Sequence, residues 1–115
     1  MYVKRNEILA PYTSFGIGGI AKKMYFPSSM EELISLIRFL NGRKKKFYLL
    51  GNGTNLLVKD KPLSRVVINN TKSCTHIYSK KKGEVTVGSS VSINLFINKL
   101  FDLGIRAPVE LATIP

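Results

Sequence analysis

The sequence predicts a mixed α+β fold in the order β-α-β-β followed by β-β-α, and three observations carry that expectation. Two segments repeat apolar residues at helical spacing, each behind a serine able to cap it. Short runs rich in Val, Ile, Tyr and Phe lie between them, punctuated by Gly, Pro and Asn. At 115 residues, 44% of them apolar, the chain has one domain's length and a globular composition.

Taken in order, Ala21 to Phe26 reads as a strand ended by Pro27. Ser28-Ser29-Met30-Glu31-Glu32 then opens a helix, because Ser28 with Glu31 and Ser29 with Glu32 both fit a capping box. Met30, Leu33, Ile34, Ile37 and Leu40 form its expected apolar face, and Gly42 is placed to end it in the left-handed conformation. Lys46 to Leu50 and Arg65 to Asn69 are strands on either side of a glycine-rich loop. In the second half, Thr75 to Ser79 and Glu84 to Gly88 pair as a hairpin around Lys80 to Gly83. Ser92 caps a second helix with Ile93, Phe96, Ile97, Leu100 and Leu103 on one face, Val91 is placed to staple against Phe96, and Gly104 stops it. Pro108 and Pro115 disfavour helix in the last stretch. Val109 to Pro115 has no turn, cap or polar tail, so the chain reads as cut, and the fold as incomplete at its C-terminus.

Composition excludes several classes. Cys74 is the only cysteine and His76 the only histidine, which excludes a disulfide and argues against a metal site. Cys74 reads as a small buried or half-buried residue rather than a nucleophile, and His76 as a strand residue with its ring at the surface. No apolar run reaches the roughly 20 residues of a membrane span, and Met1 to Glu7 is no signal peptide, so a cytoplasmic protein without membrane contact is expected. The net charge of +11 suits a nucleic-acid binder, but thirteen of the eighteen cations are lysines, and the runs 44–46 and 80–82 sit at expected turns. The tyrosines are scattered along the chain, and the aromatic-basic interleaving of an exposed nucleic-acid-binding face is missing. Only weak, nonspecific attraction to nucleic acid is expected, with a general pull on phosphate-bearing ligands.

The feature with chemistry in it is Gly51-Asn52-Gly53-Thr54-Asn55, small and uncharged between Phe47–Leu50 and Leu56–Val58. A tight structural connection is one explanation. A Rossmann loop is excluded: Leu56 replaces the third glycine, Asn69, Asn70 and Thr71 stand where the acidic residue belongs, and Asp60-Lys61-Pro62 forbids the helix. A P-loop is excluded by the missing Gly-Lys-Ser/Thr. The remaining explanation is an anion nest, in which glycines permit unusual dihedrals and backbone N–H groups turn inward around a phosphate. Such a loop needs no charge of its own.

Gly51-Asn52-Gly53-Thr54-Asn55-Leu56-Leu57 resembles the pyrophosphate loop of the UDP-N-acetylenolpyruvoylglucosamine reductases, also called UDP-N-acetylmuramate dehydrogenases, with Thr54 keeping the hydroxyl of the usual serine. Thr13-Ser14-Phe15-Gly16-Ile17-Gly18-Gly19 is similar to that family's opening motif, with Ser14 extra or shifted. Glu110-Leu111-Ala112-Thr113-Ile114-Pro115 resembles the start of its flavin-facing stretch, with Thr113 in place of a glycine.

The resemblance implies an FAD-binding domain of the PCMH type, built of two α+β lobes that grip the cofactor, residues 1–70 forming the first and 71–115 the start of the second. It implies that Leu50, Gly51, Asn52, Gly53, Thr54, Asn55 and Leu56 hold FAD through its pyrophosphate, and that Ile114 and Pro115 approach the flavin ring. The implied reaction uses NADPH to reduce the flavin, which passes hydride to UDP-N-acetylglucosamine enolpyruvate and yields UDP-N-acetylmuramate for peptidoglycan. No catalytic residue of that reaction maps onto residues 1–115, and the substrate-binding domain is absent from them, so the chain alone is expected to be inactive. A related flavoprotein that oxidises alcohols, lactones or lactate is the alternative within the fold.

Overall fold

The computed structural model describes residues 1–13, 19–51 and 65–106. The chain divides into two compact units, Met1–Ser73 and Cys74–Pro115.

The first unit contains β1 (Tyr2–Ile8), a 3-10 turn (Ala10–Tyr12), β2 (Ile20–Phe26), α1 (Met30–Gly42), β3 (Phe47–Leu50) and β4 (Val66–Asn69). Its sheet has the order β1-β2-β4-β3. β1 runs antiparallel to β2, whereas β4 is parallel to both β2 and β3. The expected β-α-β-β order omitted β1. That strand is an edge with few covered side chains on either face, so it carries no alternating pattern to read. Pairing with β2 from Tyr2↔Phe26 to Ile8↔Ile20 makes it a strand.

Leu9, Ala21, Met24, Leu50 and Val67 form a buried cluster, with Tyr12 and Phe26 packed against it. Ile68 follows Val67 onto the opposite face of the sheet and is also fully buried. Both faces of β4 are therefore covered, as befits an apolar strand between two parallel neighbours.

α1 starts as its serines predict, with one refinement. Ser29 is the N-cap, its Oγ accepting from the Glu32 amide at 3.2 Å. The Glu32 carboxylate reaches one residue further back, accepting from the Ser28 amide at 2.8 Å and its hydroxyl at 3.1 Å. These bonds hold the Glu32 carboxyl below its ordinary pKa, the backbone donor contributing most.

The apolar face of α1 differs from the expected one. Leu33, Leu36 and Leu40 are buried, while Met30 and Ile34 are 38% and 42% exposed. The helix is apolar around much of its circumference, so two stripes fit its spacing and packing selects one. Its end also differs: Gly42 remains helical and Lys44 takes the left-handed conformation, φ 55°. Lys45 N–H to Leu40 C=O at 2.9 Å and Lys44 N–H to Asn41 C=O at 3.0 Å complete a Schellman motif.

The second unit contains β5 (Ile77–Lys81), β6 (Glu84–Val87) and α2 (Ile93–Asp102). The hairpin turn is narrower than expected, Lys82-Gly83 rather than Lys80 to Gly83, with Gly83 at φ 83° and a register irregularity between Tyr78 and Lys81. His76 precedes β5 and stacks on Tyr78 with centroids 5.6 Å apart. Cys74 is buried. α2 is capped as expected, Ser92 Oγ accepting from the Leu95 amide, and Gly104 ends it at φ 72°. Of its expected apolar face only Leu100 is buried, and Leu103 is 45% exposed.

Candidate functional site

The three parallel strands of the first unit end at one edge of the sheet, and their registers put those ends in a row. Tyr2 at the start of β1 pairs with Phe26 at the end of β2, and Tyr25 of β2 pairs with Ile68 of β4, which brings Phe26 beside Asn69. Asn69 in turn pairs with Leu50 at the end of β3. Carboxyl ends of parallel strands are where open α/β sheets present ligand crevices, because each chain must leave the sheet there and side chains diverge.

A cavity of about 770 Å³ lies along this row, within the range of about 300–1,000 Å³ usual for small-molecule sites. One part of its wall is aromatic. Tyr2 and Tyr12 both pack on Phe26, at centroid distances of 5.5 and 6.1 Å, with Pro11 and Pro27 beside them. Tyr12 is fixed from behind: its hydroxyl donates to Glu7 Oε1 at 3.0 Å and accepts from Lys4 Nζ at 3.4 Å. Lys4 also pairs with Glu7 at 3.6 Å, and the Tyr12 hydrogen bond, with Glu7 behind it, raises the lysine's pKa. This cluster sets the ring's orientation and spends its hydroxyl, so Tyr12 presents a surface rather than an exchangeable proton.

The rest of the wall is polar. Asn69 is buried, and its Oδ1 accepts from both the amide and the hydroxyl of Thr71, at 3.1 and 2.6 Å. That turn holds β4's exit in shape and engages the oxygen end of the carboxamide, so the N–H₂ is the end left to serve another acceptor. Lys72 is exposed and is the one cation among the described residues of the lining.

Of the residues expected to hold a ligand, Leu50 and Gly51 are described. Leu50 is buried as the last residue of β3, and its carbonyl accepts from the Asn70 amide at 2.8 Å. Its contribution is to anchor the loop. Gly51 follows at a bend and lines the cavity. Unusual dihedrals are not its reason for being glycine, since positive φ among the described glycines is confined to Gly83 and Gly104. Nor does crowding by the described residues demand it, for a Cβ there would meet none of their atoms within 4 Å. The room beside Gly51 belongs to the cavity. Asn52, Gly53, Thr54, Asn55, Leu56, Ile114 and Pro115 lie outside the described residues, as do positions 14–18 of the opening motif.

Sequence reasoning missed Tyr2, Tyr12, Phe26, Asn69, Thr71 and Lys72, which come from four separate segments. The spacing Asn69-Asn70-Thr71 carried a signal for a side-chain turn behind a strand; the aromatic residues carried none, because strand pairing alone assembles them.

A family model described as an FAD binding domain matches residues 21–115. The chain belongs to that FAD binding domain family. Its similarity extends to named enzymes. A UDP-N-acetylenolpyruvoylglucosamine reductase from Carboxydothermus hydrogenoformans is 34% identical over 98% of this chain and 37% of its own length. Another from Nitrosococcus oceani is 32% identical over 99% of this chain and 38% of its own. Among solved structures, the UDP-N-acetylenolpyruvylglucosamine reductase of Thermus caldophilus superposes with a TM-score of 0.68 at 27% identity, covering 100% of this chain and 39% of the other. The chain thus spans somewhat under two fifths of the length of these relatives. The FAD-binding domain matched here is mixed α+β, as the sequence predicts. Among its described residues no helix is long and apolar enough to cross a membrane.

Proposed function

We propose that this chain forms part of the FAD site of a cytoplasmic reductase that uses NADPH to convert UDP-N-acetylglucosamine enolpyruvate into UDP-N-acetylmuramate for peptidoglycan. Its two compact units then correspond to the two lobes of the flavin domain. The observation that carries this reading is Gly51, a glycine with open space at its Cβ position, no positive φ, and a place in a nucleotide-sized cavity.

FAD, when bound, supplies the hydride relay between NADPH and the enolpyruvyl substrate. The chain's own contribution is to hold it. Leu50 fixes the loop's origin in the sheet, Gly51 leaves the approach clear, and the proposed loop residues Asn52, Gly53, Thr54, Asn55 and Leu56 would surround the diphosphate with backbone donors. Ile114 and Pro115 are assigned to the flavin ring side. Among the described lining residues the hydroxyls of Tyr12 and Ser28 are committed, Tyr12 to Glu7 and Lys4 and Ser28 to Glu32, and Lys72 is the one cation, with no carboxylate partner among the described residues. Proton transfer to the reduced product is assigned to parts of the reductase other than these described residues, and the 115-residue chain is expected to show no turnover.

The test is FAD retention by Gly51→Val, read from visible absorbance after desalting. A Cβ there meets no described atom and the backbone has no positive φ, so folding should survive by circular dichroism. Retention should fall at least tenfold against the wild-type chain. Undiminished retention in a folded Gly51→Val protein overturns the assignment.

A further inference from the structure

Behind the aromatic wall of the cavity, β1 breaks the alternation that a strand should keep. Successive side chains of a strand point to opposite faces, so Lys4 and Glu7, three apart, belong on opposite sides of the sheet. Here they meet instead. Lys4 Nζ lies 3.6 Å from Glu7 Oε1, and both engage the Tyr12 hydroxyl, Glu7 accepting at 3.0 Å and Lys4 donating at 3.4 Å. The irregularity that permits this is at Asn6. Its φ is 52°, and the ladder with β2 passes over it from Arg5↔Lys23 to Glu7↔Ala21. Left-handed backbone is unfavourable for a residue with a side chain, and asparagine is among those that bear it best. The strand gives up regularity there, and the product is a tether on one phenol.

The tethered ring lines the cavity and its tethers do not: Tyr2, Tyr12 and Phe26 are among the described lining residues, whereas Lys4, Asn6 and Glu7 are not. The turn that carries Tyr12 closes without them, the Tyr12 amide donating to the Leu9 carbonyl at 2.9 Å and the Thr13 amide to that of Ala10 at 3.3 Å. Glu7 and Lys4 therefore fix where the ring points rather than whether the turn forms. Lys4 has a second route. Its ammonium also lies 5.7 Å from the Tyr2 ring centre and 5.6 Å from that of Phe26, within cation–π range of both. We infer that Lys4, Asn6 and Glu7 are positioning residues for the cavity, acting on its occupant through the Tyr12 ring and, for Lys4, through Tyr2 and Phe26 as well. The inference rests on the FAD reading above and adds to it three residues outside the described lining. A wall already held in one orientation offers its face without first losing side-chain freedom, which lowers the ordering cost of binding.

The experiment titrates the full chain with FAD, followed by flavin fluorescence, and melts each FAD-free protein separately by circular dichroism. Glu7→Gln and Tyr12→Phe should each weaken FAD about fivefold, the scale of one hydrogen bond. The double variant should be no weaker than either, because Glu7 acts through that hydroxyl alone. Lys4→Met should still weaken FAD in the Tyr12→Phe background, because the Tyr2 and Phe26 rings remain to it. Asn6→Val, strained at φ 52°, should lose at least as much as Glu7→Gln. If the variants bind FAD as the wild type does, whatever their melting temperatures, or if the Glu7→Gln and Tyr12→Phe losses multiply, the positioning role is overturned and the FAD reading stands. If the wild-type chain binds no FAD, both fall.

Discussion

The two units are held together in different ways. The first has a side-chain core: Leu9, Ala21, Met24, Leu50 and Val67 form a buried cluster about a four-stranded sheet, and Ile68, on the opposite face of β4 from Val67, is buried too. The second has few deeply buried apolar residues among those described, Cys74 and Leu100, and leaves Leu95, Phe101 and Leu103 exposed. Its tightest feature is an approach of backbone to backbone. A Cβ at Gly88 would lie 2.2 Å from the Cys74 carbonyl oxygen. Beside it, Ser90 closes two hydrogen bonds with Cys74, Oγ accepting from the Cys74 amide and the Ser90 amide donating to the Cys74 carbonyl, both at 2.9 Å. A hairpin and one helix enclose little volume, so close backbone packing and hydrogen bonds do there what buried methyl groups do in the sheet.

That difference predicts opposite sensitivities. In the first unit, shrinking a side chain should hurt most: Met24→Ala is expected to cost about 2–5 kcal/mol in chemical denaturation, the usual range for emptying a core site. In the second, adding a single methyl should suffice. Gly88→Ala is expected to cost about 3 kcal/mol, because the atom in its way is backbone and cannot rotate aside. Hydrogen exchange would show each loss concentrated in its own unit, and a harmless Gly88→Ala would break the comparison.

The helix ends sharpen it. Both α1 and α2 finish in Schellman motifs, but α2 places Gly104 at the left-handed position, φ 72°, and α1 places Lys44 there, φ 55°. Gly104→Ala should destabilise by about 1–2 kcal/mol, whereas Lys44→Gly should stabilise by up to about 1 kcal/mol, both read from thermal melts.

The smallest effect expected is electrostatic. Glu32 is held below the ordinary glutamate pKa chiefly by the Ser28 amide, so its contribution is present above the unfolded glutamate pKa and is lost as pH falls through the lower folded value. The stability gap between wild type and Glu32→Gln should be open at neutral pH and closed in acid. The carboxylate is solvent-exposed, so salt should shrink the gap.

Much of this molecule was legible in order. Ser29 with Glu32, Ser92 and Gly104 each state a local bargain between a side chain or a bare backbone and the orphan groups of a helix end, and such bargains involve neighbours in sequence. The glycine loop stands out in the sequence for a similar reason, since its emptiness is a property of five consecutive residues, and the role given to it is a proposal. β1 was not, because an edge strand's stabilisation comes from its partner's hydrogen bonds rather than from its own pattern.

By itself the sequence determined the α+β class, both helix starts and the segment at which a diphosphate is proposed to bind, because these follow from spacing within one or two turns of chain. Only the tertiary structure decided that Leu36 rather than Ile34 faces inward, that Lys44 rather than Gly42 turns left-handed, and that Tyr2, Phe26 and Asn69 share a row with Gly51. Those outcomes depend on which strand lies beside which, and the register of a sheet is fixed by contacts between residues tens of positions apart.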